Sequence, residues 1–147
     1  MKLLQLLLKN GRSSFKSLAV DVGLTGAACA ERIKRLKERG LLSGYKAEVD
    51  WVKLGFPVRA LVRIGANAEH GQSLLELFAE TPNVVEVHRV TGLDSYVLLV
   101  LAESSQQLEN VIDKIGKYGT VTTSLVLSTP LTSSNRLHAL LGSRSGS

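Results

Sequence analysis

Apolar residues at positions 3, 4, 6, 7 and 8 predict a short helix over residues 2 to 9, apolar around most of its circumference and therefore buried. Asn10-Gly11 ends it. Phe15, Leu18, Ala19 and Val22 then recur at three- and four-residue spacing, behind Ser13 and Ser14, either of which can cap a second helix. Gly23 stops that helix. Thr25 caps a third, in which Cys29, Ile33 and Leu36 form a buried stripe that runs until Gly40. The link between the second and third helices is only Gly23-Leu24-Thr25, with Leu24 placed to plug the corner.

Past Gly44 the pattern changes period. Tyr45 to Trp51 alternates like a strand and Gly55-Phe56-Pro57 breaks it, which puts a domain boundary there. Val58 to Ala66 reads as a strand, and Glu69 to Glu80 as a helix burying Leu74, Leu75, Leu77 and Phe78. Thr81-Pro82-Asn83 closes that helix. Val84 to Val90 and Tyr96 to Ala102 are two strands joined through Thr91 to Ser95. Ser104 or Ser105 caps a helix through Tyr118, with Leu108, Val111, Ile112 and Ile115 inside, and Val121 to Leu127 is the last strand. This order is two βα halves folded into one antiparallel sheet with both helices on one face, a ferredoxin-like βαββαβ sandwich. The strands are apolar enough that the other face needs a cover, most simply a second copy of the domain, so a homodimer is expected. The fold class is thus α+β, with domains at 1–44 (three helices), 45–57 (strand and linker), 58–130 (sandwich) and a tail over 131–147 that is expected to fray.

Composition narrows the function. The chain has 147 residues, 44% of them apolar and 21% charged, so it can bury a core and is too short for a large multidomain enzyme. The longest apolar run, Tyr96 to Ala102, is far short of the roughly 20 residues a spanning helix needs, and Leu3 to Leu8 lacks the flanks of a signal peptide. Cys29 is the only cysteine, which excludes an intramolecular disulfide, fits a reducing cytoplasm and reads as a small core hydrophobe. No metal-ligand spacing, phosphate loop or nucleophile motif is present, so no cofactor is expected. The net charge of +5 is unevenly placed: the first fifty residues hold ten Lys or Arg against five acids, and the rest of the chain eight of each. A basic module joined to a neutral one points to a polyanion, double-stranded DNA before membrane surface.

Helix, tight glycine turn and basic capped helix is the arrangement whose second helix enters the DNA major groove. Gly26, Ala27, Ala30, Glu31 and Lys34 lie off the buried stripe of the third helix, and small residues at its start allow close approach to base edges. Arg12, Arg32, Arg35 and Lys37 can reach phosphates, and Ser13 and Thr25 are counted with them among the DNA-binding residues. In the second domain Gly92 can take a turn conformation and offer backbone N–H groups to a carboxylate, while Asp94 can pair with an ammonium group. Thr122, Thr123 and Ser124 add neutral hydroxyls from the last strand. Trp51 beside Leu54 and Phe56 reads as a packing anchor.

Asn10 to Arg12 (NGR), Val22 to Tyr45 (VGLTGAACAERIKRLKERGLLSGY), Val87 to Gly92 (VHRVTG) and Thr122 to Pro130 (TTSLVLSTP) together resemble the Lrp/AsnC, or feast/famine, transcriptional regulators, from Leu3 to about Pro130. The resemblance implies a winged helix-turn-helix domain followed by a RAM-type sensing and dimerisation domain. It implies dimers that often assemble into octamers, operator binding, and a small amino-acid-like effector held near Thr91, Gly92, Asp94, Ser95 and Tyr96. The family often carries an acid three residues after this glycine; Ser95 stands there, with Asp94 one place earlier. The chain also starts where the family's first helix is already under way. Two other readings compete: a nucleoid-type architectural protein that binds DNA through phosphates, and a tetrapyrrole decarboxylase-like enzyme on the same fold, for which His88-Arg89 is the one adjacent His-Arg pair on a predicted strand.

Overall fold

The computed structural model describes residues 2–132, 136–137 and 139–141, in two compact units, 1–48 with 129–147, and 49–128. The first unit contains α1 (Lys2–Lys9), α2 (Phe15–Val22) and α3 (Gly26–Glu38). Leu3 and Leu7 of α1, Leu18 and Ala19 of α2, and Cys29 and Ile33 of α3 form its buried core, with Leu6, Val22, Leu36 and Leu42 packed around them. Phe15, expected in the stripe, is 49% exposed, because it opens the first turn of α2 where no neighbouring helix covers it. Residues 136–137 and 139–141 are helical; of the tail expected to fray, 133–135, 138 and 142–147 lie outside the described residues.

The strand expected over Tyr45 to Trp51 does not form within the chain. Alternation makes a segment fit for a ladder, but no strand among the described residues pairs with it. Instead Asp50 starts a short turn: its Oδ1 accepts from the Lys53 N–H at 3.2 Å, and the Phe56 N–H returns to the Trp51 carbonyl at 2.9 Å across Gly55 at φ 94°. Trp51 sits in this turn and is 41% exposed rather than buried.

The second unit is a four-stranded antiparallel sheet, β1 (Val58–Ala66), β2 (Val84–Arg89), β3 (Tyr96–Ala102) and β4 (Gly119–Leu125), in the order β2-β3-β1-β4, with α4 (Gly71–Glu80) and α5 (Ser105–Gly116). A single 3-10 turn, Ala68–His70, occupies what the sequence assigns to the start of α4. Ala60, Val62 and Ile64 of β1 and Tyr96, Leu98, Val100 and Ala102 of β3 face Leu74, Phe78, Leu108, Val111 and Ile115 of the helices, which closes the core. Leu75 is 46% exposed, since Leu74 and Phe78 at i and i+4 define the inward face and Leu75 is turned away from it. β4 begins two residues earlier than the apolar pattern implied and ends at Leu125, leaving Leu127 outside the ladder. Among the described residues no helix is long and apolar enough to cross a membrane.

Candidate functional site

In the first unit the α2–α3 corner is built by local chemistry. The Ser14 Oγ accepts from the Ser17 N–H at 3.1 Å, so Ser14 and not Ser13 is the cap of α2. Gly23 takes φ 67°, and its N–H and that of Leu24 return to the Val20 and Ala19 carbonyls at 3.2 and 2.9 Å. Thr25 Oγ1 accepts from the Ala28 N–H at 3.2 Å and caps α3. With Cys29 and Ile33 turned inward, α3 presents Gly26, Ala27, Glu31 and Lys34 to solvent, with Ala30 half-buried beside them. Arg32 and Arg35 lie on a flank of the helix, and the Arg35 Nε donates to the Glu31 Oε1 at 3.1 Å. Lys34 Nζ stands 3.7 Å from the Glu38 carboxylate. Arg12 and Ser13 occupy the α1–α2 turn, where the Arg12 N–H is held by Asn10 Oδ1 at 3.0 Å.

One residue of this region escapes pattern reading. Tyr45 packs its ring against the Gly11 backbone, where an added Cβ would lie 3.3 Å from it, and carries Lys37 Nζ at 5.2 Å from the ring centroid. Its one signal is the glycine that leaves room for it.

In the second unit the 91–95 loop folds over the end of β1. The Ser95 N–H donates to the Ile64 carbonyl at 2.7 Å. The Ser95 hydroxyl accepts from the Ala66 N–H at 3.2 Å and donates to the Ala66 carbonyl at 3.0 Å, so its proton and one of its two lone pairs hold the loop in position. Gly65 lies under Leu93, whose carbonyl would be 3.0 Å from a Cβ there, and Gly92 takes φ 114°. At Gly119 an added Cβ would collide with the Gly65 carbonyl. Thr91 and Gly92 are exposed, Leu93 entirely so, and Asp94 is half-buried.

Register separates the remaining candidates. Thr123 pairs with Val62 and so shares the helix-covered side, as does Tyr96, buried edge-on against Phe78 at 5.6 Å between centroids. Thr122 pairs with Arg63, and Ser124 with Leu61, on the open face. Arg63 also pairs with Val97, which puts a cation in the middle of that face; no ion pair engages it among the described residues. The sequence signal was two arginines, Arg59 and Arg63, inside an otherwise apolar central strand. His88 and Arg89, being successive strand residues, point to opposite faces, and the His88 ring meets the Glu86 carboxylate at 3.3 Å. Among the described residues no group of three His, Cys, Asp or Glu side chains is placed to hold a metal ion.

A glycine-turned pair of helices ending in a capped basic helix, joined to a separate βαββαβ unit, defines a helix-turn-helix regulator that carries a ligand-binding domain. Comparison with known proteins agrees: residues 1–37 match the AsnC-type helix-turn-helix domain and residues 59–135 the Lrp/AsnC ligand binding domain. The transcriptional regulator LrpB of Bacillus subtilis is 35% identical over 118 residues, covering 80% of this chain and 79% of the relative. The solved structure of B. subtilis LrpC superposes with a TM-score of 0.82 at 28% identity, over 88% of this chain and 93% of that one. The feast or famine regulatory protein of M. tuberculosis, solved in complex with L-methionine, superposes with a TM-score of 0.79 at 28% identity, over 88% and 90%. The chain belongs to the Lrp/AsnC family of transcriptional regulators.

Proposed function

We propose that the 1–44 module binds operator DNA through the N-terminal half of α3. Gly26, Ala27, Ala30, Glu31 and Lys34 face base edges, while Arg12, Ser13, Thr25, Arg32 and Arg35 engage phosphates. The 58–130 module holds a small amino-acid-like effector against the Thr91–Tyr96 loop, with Gly92 amides on its carboxylate and Asp94 on its ammonium group, and with Thr122 and Ser124 nearby. Tyr96 and Thr123 support this site from the helix side. The protein works in the cytoplasm as a homodimer that assembles toward an octamer, needs no cofactor beyond the effector, and is not an enzyme. The observation that carries this reading is the capped α2–Gly23–α3 corner, which delivers a helix start of small residues flanked by cations. The methionine complex of the M. tuberculosis relative supports an amino acid as the effector class.

The test is fluorescence anisotropy on DNA upstream of the protein's own gene, with unrelated duplex as competitor and amino acids added singly. Preferential binding shifted by one amino acid is expected. The Asp94→Ala variant is expected to keep DNA binding and lose that shift. Binding with no preference and a steep salt dependence would replace this reading with an architectural one.

A further inference from the structure

The cations of α3 are held in two ways. Lys34 Nζ stands 3.7 Å from the Glu38 carboxylate and Arg35 donates to Glu31 at 3.1 Å, so each must give up an acid before it meets a phosphate. Lys37 makes no ion pair among the described residues, and its Nζ lies 5.2 Å from the centroid of the Tyr45 ring. A ring face orders the ammonium without cancelling its charge and leaves N–H donors for an anion. Lys37 follows Ala30 by seven residues and Gly26 by eleven, which at about 3.6 residues per turn sets all three along one line of the helix. That line starts at the small residues of its N-terminus.

The ring has a firm support. Its Cδ1 would lie 3.3 Å from a Cβ at Gly11, so Tyr45 rests on the bare backbone of the α1–α2 turn. The turn is pinned from within: the Asn10 N–H donates to the Leu6 carbonyl at 2.9 Å, and Asn10 Oδ1 accepts from the Arg12 N–H at 3.0 Å. Tyr45 itself is 47% exposed and is no member of the buried core of the three helices, so core packing does not account for it. A free lysine loses rotamer freedom when it grips a phosphate, and one already held over a ring loses less. We infer, on the DNA-binding reading of this unit, that Tyr45 is a positioning residue for operator binding: its ring, braced on Gly11, holds the Lys37 ammonium ready for a backbone phosphate beyond the base-reading start of α3.

The test compares the full chain with Tyr45→Phe, Tyr45→Leu, Lys37→Gln and the Tyr45→Leu/Lys37→Gln pair, by anisotropy on one duplex across a salt series. Lys37→Gln is expected to lower the slope of log K against log salt by about one unit. Tyr45→Leu is expected to weaken binding roughly threefold with the helical circular dichroism and thermal midpoint kept, because the ordering cost of one long side chain returns. Tyr45→Phe is expected to bind as the parent does, since the ring and not the hydroxyl carries the effect. The paired variant is expected to bind no more weakly than Lys37→Gln alone, because the ring then has no ammonium to hold. In the free protein the Lys37 ε-methylene protons are expected upfield by ring current in the parent and in Tyr45→Phe, and at their ordinary position in Tyr45→Leu. Additive losses in the pair, an unchanged slope in Lys37→Gln, or a Tyr45→Phe as weak as Tyr45→Leu overturns this role. A parent chain that binds no duplex overturns the DNA-binding reading and this role with it; binding by the parent that every variant keeps overturns this role alone.

Discussion

Gly23 and Gly65 show two different demands on a glycine. At Gly23 the space is open, with nothing within 4 Å of an added Cβ, and the demand is the left-handed φ of 67° that closes α2 onto α3. Gly23→Ala is therefore expected to cost about 1 kcal/mol, seen as a lower thermal midpoint with the helical circular dichroism kept, because an L side chain pays conformational strain without a clash. The caps and turn glycines of this corner were legible in the sequence, since each acts on residues within five positions of itself. Ser95 was not: its hydroxyl bonds Ala66, 29 residues away, and a serine in a Gly-Asp-Ser loop reads as turn chemistry until β1 is in place. Tyr45 escaped for the same reason, because its contacts with Gly11 and Lys37 come from tertiary packing.

On α3, charge is distributed by face. The solvent face pairs Lys34 with Glu38, and Glu31 reaches across to Arg35, so part of the positive charge counted in the sequence is neutralised before any DNA arrives. These pairs are exposed and weak, and a phosphate can displace the acid. Arg35→Ala is accordingly expected to weaken binding to all duplexes alike and to lower the slope of log K against log salt by about one unit. An unchanged slope would remove Arg35 from the interface. The strand elements show where pattern reading stops. β1 and β3 were placed to the residue because they are central, bounded by turns and continuously apolar on the helix-covered face, β1 carrying Arg59 and Arg63 only on the other. β4 is an edge strand of alternating burial, so its ends depend on the ladder with β1 rather than on its own composition. The 45–51 segment alternated equally well and formed no strand, because alternation without a hydrogen-bonding neighbour has nothing to stabilise it.

The molecule divides into two units with separate cores, one of Leu, Ile and Cys side chains on three helices and one between a sheet and two helices. Separate cores lose stability separately. Leu98, fully buried on β3, belongs to the second alone, so Leu98→Ala is expected to lower the unfolding midpoint of that unit by an amount corresponding to about 2–5 kcal/mol. The helical transition of the first unit is expected to stay in place. Trp51, the chain's only tryptophan, lies in the second unit, so fluorescence follows that unit alone, while the helical circular dichroism records both and the first unit's transition is the part of it that fluorescence lacks. A single shifted transition in both signals would show that the units unfold together. The split was visible in the sequence as a change of hydrophobic period and the end of the basic excess near residue 50.

The close approach of Gly119 to Gly65 has a use beyond fitting two backbones together. Sliding β4 by one residue along β1 would turn its half-buried side outward, a cost that hydrophobic patterning already imposes. Sliding it by two keeps every side chain on its own face, and burial alone barely resists that error. Such a slip would bring Lys117 or Val121 to the place of Gly119, and a side chain there runs into the Gly65 carbonyl. Gly119 thus works as the notch of a key against the Gly65 carbonyl: it leaves one alignment of the edge strand open, and with it one position of Thr122 and Ser124 relative to the loop that closes over Gly65.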